Sequence, residues 1–397
     1  MIKANLLIIS VLSFYLVSCN NVSSHTNDDS LKFIKSPYET NLIDTIDTFY
    51  NSITQLIGGI DSLIDYQKFS SDTILIKKYC ATVETKYSKI KNDRLERIGL
   101  WNSVNIERNH KIDTTFAFYP FSGGDFIHLN WLYPNANEYF MVAREDVGNV
   151  PNLLVNPKMA NAYLNNVDIV LRDIYYKSYF ITRNMIYDIN KQARVNGMLP
   201  LLLWAAARTD HEILGVKFGS VSADGKLIYN QKNKIQKHDV VEILFRKRAT
   251  KQHKKLTYLS CDISDKGFLT EQNYYKYLQT KVPSNCHSFV KSASYLLHYK
   301  GFSKMRDLIL NKSDFLVQDD TGIPFKHFNK KNWNIELFGQ YDKPVSDFKM
   351  KILHQLDLDS AYKIPTYYKG KLNFSLGYHW GSDKQNEMVL SKIKINN

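Results

Sequence analysis

From about residue 112 the chain breaks into apolar runs of strand length set among stretches with helical spacing, and this mixture constrains the fold most. "TTFAFYPF" and "EYFMVAR" (138–144) read as strands by their aromatic and β-branched content. "EILGVKFGSV", the turn Ala223-Asp224-Gly225-Lys226 and "LIYN" read as a hairpin. "VVEILFRKR" and "KKLTYLSCDI" read as a further pair, and "DFLVQDD", "FSLGYHW" and "MVLSKIKI" as later strands. Residues 157–190 have helical spacing, and "LPLLLWAAA" (199–207) is a buried element of either type. Ser284 or Asn285 as N-cap and Gly301 beyond the end predict a helix to Lys300. No regular strand–helix–strand rhythm and no internal repeat emerges. The expected class is α+β: a mixed, largely antiparallel sheet with packed helices over 109–397.

Residues 37–108 have a different texture. Ile43, Ile46, Tyr50, Ile53, Ile57, Ile60 and Ile64 recur at three- and four-residue steps, the stripe of one helical face over 40–66. Gly58-Gly59 predicts a kink there. Ile76, Tyr79, Cys80, Val83, Tyr87 and Ile90 predict a second helix over 72–98. Together they predict a helical hairpin ahead of the main domain.

The N-terminus reads as an address. Lys3 precedes an apolar run from Leu6 to Val17, the length of a signal-peptide core and too short to span a bilayer. The run ends in Leu16-Val17-Ser18-Cys19, which resembles a bacterial lipoprotein signal over 1–18, with Cys19 as the acylated residue. That resemblance implies membrane attachment through a lipid anchor, since each buried CH₂ adds about 0.8 kcal/mol. Residues 19–36 open on a polar stretch that cannot bury enough surface to order itself, and read as a tether. Asn20 carries no charge, so the expected location is the envelope at the outer membrane. Cys80, Cys261 and Cys286 remain; three cysteines cannot all pair, and none has a zinc-ligand spacing. No cofactor motif and no metal site is read.

Four constellations carry chemistry. The first is "FYPFSGGDFIHLNW", with Ser122, Asp125 and His128. The hydrolase elbow G-x-S-x-G is absent, because Pro120 stands two before Ser122. The plain reading is a turn: Pro120 restricts Tyr119, Gly123-Gly124 admits positive φ, and Ser122 or Asp125 caps the next segment. The second is Arg208-Thr209-Asp210-His211-Glu212, five polar residues ending a buried run. It lacks the second histidine of H-E-x-x-H, Gly215 standing in its place. If Ser122 is a nucleophile, His211 is the base and Asp125 or Asp210 its orienter. The third is Asp319-Asp320-Thr321-Gly322. Asp-Thr-Gly after an apolar strand suits an aspartic protease only with a second copy, and none occurs. A turn with Gly322 at positive φ is the plainer reading, and two adjacent carboxylates fall short of the roughly six or more oxygens that Ca²⁺ takes.

The fourth is charge. The chain is +13, and residues 231–255 hold nine Lys/Arg against two acids. Arg246, Lys247, Arg248, Lys254 and Lys255 lie at the connection of two expected strands. They predict docking on an anionic lipid or glycan surface, or else a solvated loop that keeps a sheet edge soluble. Nucleic acid is not expected at this address.

"FYPFSGGDF", "ARTDHEI" and "YLLHYKGFSKMRDLILNKSDFLVQDDTGIPF" together resemble a family of uncharacterised bacterial exported proteins and lipoproteins, from about 110 onward. Gly124 and Thr321 depart from that family's Pro and Ser. The resemblance supplies no activity, but groups Ser122, Asp125, Arg208, His211, Asp319 and Asp320 as one candidate site. The leading expectation is a binding or structural envelope lipoprotein. The rival is an envelope hydrolase using Ser122 with His211 and a carboxylate.

Overall fold

The computed structural model describes residues 44–68, 73–108, 110, 115–121, 123–154, 157–179, 195–230, 238–344, 354–379 and 385–393. Its frame is one eleven-stranded sheet, and the chain is α+β. The strands are β1 (Phe116–Pro120), β2 (Glu138–Ala143), β3 (His211–Val221), β4 (Leu227–Tyr229), β5 (Val240–Lys247), β6 (His253–Ser260), β7 (Cys286–Val290), β8 (Ser313–Gln318), β9 (Trp333–Gly339), β10 (Tyr368–Gly370) and β11 (Asn386–Lys392). Their spatial order is β10-β9-β11-β8-β7-β1-β2-β6-β5-β3-β4.

The sheet departs from the largely antiparallel expectation. The five central strands β8, β7, β1, β2 and β6 are all parallel, and antiparallel pairs dominate only the flanks. Parallel neighbours need a crossover between them, and helices supply it. The Phe126–Leu132 helix follows β1, and the Ser303–Lys312 helix precedes β8. Central strands are covered on both faces, so β1 is buried along its whole length. Phe116 and Phe118 enter one core, Ala117 and Tyr119 the other.

Other expectations changed with context. The 199–207 run is helical, as Leu199–Arg208. The helix expected from Ser284 to Lys300 is instead β7 followed by a 3-10 turn over Ser292–His298. "FSLGYHW" holds a 3-10 turn at Gly377–His379 rather than a strand. Among the described residues the first isoleucine stripe is α-helical over Thr48–Gly58, with short 3-10 turns at Asp61–Leu63 and Tyr66–Lys68; Gly59 ends the α-helix in the left-handed region (φ 63°) instead of kinking it. Thr73–Ile90 is helical, and its buried residues are the six of the second stripe. No helix among the described residues is long and apolar enough to cross a membrane.

The Thr48–Gly58 helix joins the core above the sheet by packing on Leu199–Arg208. Gly58 makes that approach: a Cβ there would stand 2.5 Å from the Ala207 Cβ. Gly58→Ala therefore forces the helices apart, and chemical denaturation is expected to show a loss of about 1–3 kcal/mol despite alanine's higher helix propensity.

Candidate functional site

Sheet topology singles out one place. From β1 the chain runs to β2 on one side, with a helix on one face; from β7 it runs to β8 on the other side, with a helix on the opposite face. β1 and β7 are neighbours. The region beyond their C-terminal ends is a topological switch point, where open sheets with parallel strands place their ligands.

The loop after β1 is strained to reach it. Phe121 (φ 63°) and Gly123 (φ 52°) are both left-handed. Gly124 is not; its role is space, since a Cβ would lie 2.9 Å from the Leu201 Cβ. Ser122 lies outside the described residues. Asp125 stands at the N-cap of the next helix, but its side chain makes no capping hydrogen bond there. Its carboxylate lies 2.6 Å from Lys291 Nζ, the residue after β7, and 2.5 Å from His128 Nδ1, and accepts from the Tyr119 hydroxyl at 2.9 Å. Lys291 also donates to the Ser178 carbonyl at 2.7 Å. All of these side chains are buried. Burial alone would raise the Asp125 carboxyl, but the His128 and Lys291 charges overcome it and hold it down to about 2. Burial pushes His128 down to about 4, against the pull of Asp125.

A second set lies beyond β8, at the same end of the sheet. Asp319 accepts from the Thr321 backbone N–H (2.9 Å) and hydroxyl. Asp320 Oδ1 lies 2.5 Å from His379 Nε2 and accepts from Asn386 Nδ2 at 3.1 Å, while the Asp320 N–H donates to Asn386 Oδ1 at 2.8 Å. Glu387 follows Asn386 in β11. Asp319, Asp320 and Glu387 are 1, 0 and 2% exposed. One oxygen of each, and His128 Nε2, has no hydrogen-bond partner among the described residues. Burial and the neighbouring Asp320 push the Asp319 carboxyl up to about 6. Burial and Asp319 raise Glu387 well above the usual carboxylate range. His128 and Glu387 also line a small void walled by Trp101, Leu132 and Phe289 among others.

Gly322 is required by space rather than by φ: it is not left-handed, and a Cβ would lie 2.5 Å from Gln318 Oε1. Gln318 instead clamps Ile323 through both backbone groups, at 2.8 and 2.9 Å. Among the described residues no group of His, Cys, Asp and Glu side chains is arranged to hold a metal ion.

No family model and no curated protein matches this chain. The site therefore stands on its own geometry, which divides the six residues grouped from sequence. Asp125, Asp319 and Asp320 lie at one end of the sheet, where Lys291 pairs with Asp125; burial pushes Lys291 down, against the pull of Asp125 and, more weakly, of Asp319. Arg208 and His211 belong elsewhere. Arg208 ties helices together through Glu84 (2.5 Å), the Gly59 carbonyl (3.1 Å) and the Tyr87 ring. His211 opens β3, four strands from β1, where its ring meets Thr209 Oγ1 at 2.9 Å and packs edge-to-face with Phe245. Burial and Lys254 push it down to about 3. With its ring so placed, His211 is not oriented by Asp125, whose carboxylate is held by Lys291, His128 and Tyr119.

The basic connection is a hairpin between β5 and β6, as expected, but its charge is largely spent within the fold. Arg246 pairs with Glu212 (2.7 Å) and Asp44 (2.5 Å), Lys251 with Glu212 (3.1 Å), Arg248 with Asp210 (3.5 Å) and Lys255 with Glu138 (3.3 Å). Lys254 is buried and donates to the Pro134 and Ala136 carbonyls; burial pushes it down to about 8. Four of the five predicted cations are thus engaged by the protein itself, and the connection is not a uniform cationic surface. Cys80, Cys261 and Cys286 are free and buried. Cys19 lies outside the described residues.

Sequence reasoning missed Lys291, His379, Asn386 and Glu387. Two share a signal: Lys291 closes the apolar run "SFV" and Glu387 opens "MVL", so each is a charge placed directly at the end of a buried strand.

The electrostatics of the two sets lead to two expected outcomes. Lys291→Met leaves Asp125 buried without its cation, and is expected to cost about 3–5 kcal/mol in chemical denaturation, with Asp125→Asn restoring part of it. Asp319 titrates higher in the folded than in the unfolded chain, so the native state holds its proton longer and this residue's contribution falls as pH rises through about 6. Asp319→Asn is expected to gain stability relative to wild type as pH rises from about 4 to about 6, read from paired denaturation curves.

Proposed function

We propose that this chain is a lipid-anchored envelope hydrolase that works by acid–base chemistry at the switch point. The observation that carries the reading is the unequal treatment of buried carboxylates. Asp125 is compensated by Lys291, whereas Asp319, Asp320 and Glu387 each keep an oxygen without a partner among the described residues. Uncompensated buried carboxylates are costly to a fold and gather where proton transfer is needed. Environments that drive neighbouring carboxyls apart divide acid from base. Asp319 then donates its proton to the leaving-group oxygen as the scissile bond breaks. Asp320, oriented by His379 and Asn386, takes a proton from the attacking water. His211 has no part in this scheme, which replaces the serine–histidine version.

A second reading is the binding role expected from sequence, favoured by an open cleft of about 430 Å³ at the same end of the sheet.

Asp319→Asn and Asp320→Asn are each expected to lower release of soluble products from isolated envelope material by at least about 100-fold, with the fold retained. Release at the wild-type rate by Asp319→Asn would exclude the acid–base reading and leave binding. For the anchor, Cys19→Ser is expected to move the protein from the membrane to the soluble fraction. Continued membrane fractionation would refute lipidation as the main attachment.

A further inference from the structure

The cleft lies where β9 ends. Gly339 pairs with Asn386, the residue that holds Asp320, so the cleft and the carboxylates share one end of the sheet. Gln340, Tyr341, Tyr362, Tyr368, Lys371 and Gln385 line it. Tyr341 accepts from the Gln355 N–H at 3.0 Å, and the Gln355 amide donates to the Asp320 carbonyl at 2.9 Å. One hydrogen-bonded chain thus runs from cleft wall to carboxylate segment. The Asp320 charge also reaches both Tyr341 and Tyr362.

We propose that this cleft binds a saccharide chain, as the substrate subsite of the hydrolase reading on which this inference rests. Its volume is that of a small-ligand site. The exposed Tyr368 ring offers a flat apolar surface with a polar edge, beside the Tyr341 and Tyr362 rings, whose hydroxyls are held by the Gln355 N–H and the Phe338 carbonyl; this suits a sugar ring, with C–H groups on its faces and hydroxyls around its rim. The exposed Gln340 amide brings both donors and an acceptor, matching hydroxyls that are themselves both. None of the described lining residues is a carboxylate, so a cationic ligand finds no counter-charge. A purely apolar chain would desolvate the Gln340 amide without replacing its hydrogen bonds to water. Gln340, Tyr368 and Lys371 are exposed, so their side chains face an incoming ligand without unfolding anything.

The test uses the full chain in a detergent without a sugar headgroup, titrated calorimetrically with tetramers of glucose and of N-acetylglucosamine, and with tetralysine. Saturable binding of at least one saccharide and none of tetralysine is expected. Tyr368→Ala and Gln340→Ala should each weaken saccharide binding at least tenfold, and Tyr368→Phe should retain it. Absence of saccharide binding, or affinity unchanged in both alanine variants, would overturn the cleft assignment. Asp319→Asn separates the two readings: unchanged affinity with lost product release supports both. Saccharide binding by a wild type that releases no product supports the cleft and overturns the hydrolase. Product release that depends on Asp319 but not on Tyr368 or Gln340 overturns the cleft alone.

Discussion

The buried ion pair between Lys291 and Asp125 is the interaction around which the centre of the molecule is arranged. One partner follows β7, the other lies in the loop after β1, and both are almost fully removed from water. Charges so placed are tolerated only when geometry and further hydrogen bonds are good. The structure supplies these: Tyr119 and His128 on the carboxylate, the Ser178 carbonyl on the ammonium. The pair thereby ties two neighbouring parallel strands across the point where their crossovers diverge. The loop after β1 that carries Asp125 accepts left-handed geometry at Phe121, whose ring packs on Phe302.

The carboxylates beyond β8 are treated differently. They receive hydrogen bonds from Thr321, His379 and Asn386, yet no lysine or arginine ion pair forms with them among the described residues. Lys291 lies within electrostatic reach of Asp319 and Glu387 but is committed to Asp125. Burial together with their mutual repulsion, in a low-dielectric site, lifts Asp319 and Glu387. One lysine committed to a single carboxylate thus leaves a fixed anion at Asp125 and raised carboxyls at Asp319 and Glu387.

Polar clusters elsewhere have the opposite character. Arg208 caps contacts among three helices, and Glu212 draws Arg246 and Lys251 around the start of β3. These networks are rich in partners, and their role is to hold the Thr48–Gly58 and Thr73–Ile90 helices and the β5–β6 hairpin in place. High charge density in the sequence therefore marked the well-compensated end of the sheet. The chemically poised end was written in isolated charges at strand ends.

Much of the secondary structure was legible in the chain. Alternation and turn chemistry located the β3–β4 and β5–β6 hairpins, and the isoleucine stripe located buried positions such as Ile53 and Ile57. Local pattern carries these because neighbouring residues decide them. Strand direction was not legible, since a fully buried run such as "FAFYP" has the same composition whichever way its neighbours point. The helix expected after Asn285 failed for a related reason: its capping residues were present, but pairing of β7 with β1 and β8 outweighed local propensity. Of the site, sequence alone determined that Asp125, Asp319 and Asp320 stand just beyond apolar strands. Only the tertiary structure decided that they meet, that Lys291 and Glu387 join them, and that Arg208 and His211 do not. Sequence spacing carries no information about which strand ends a sheet brings side by side, and the desolvation that sets these charges exists only once the sheet has formed.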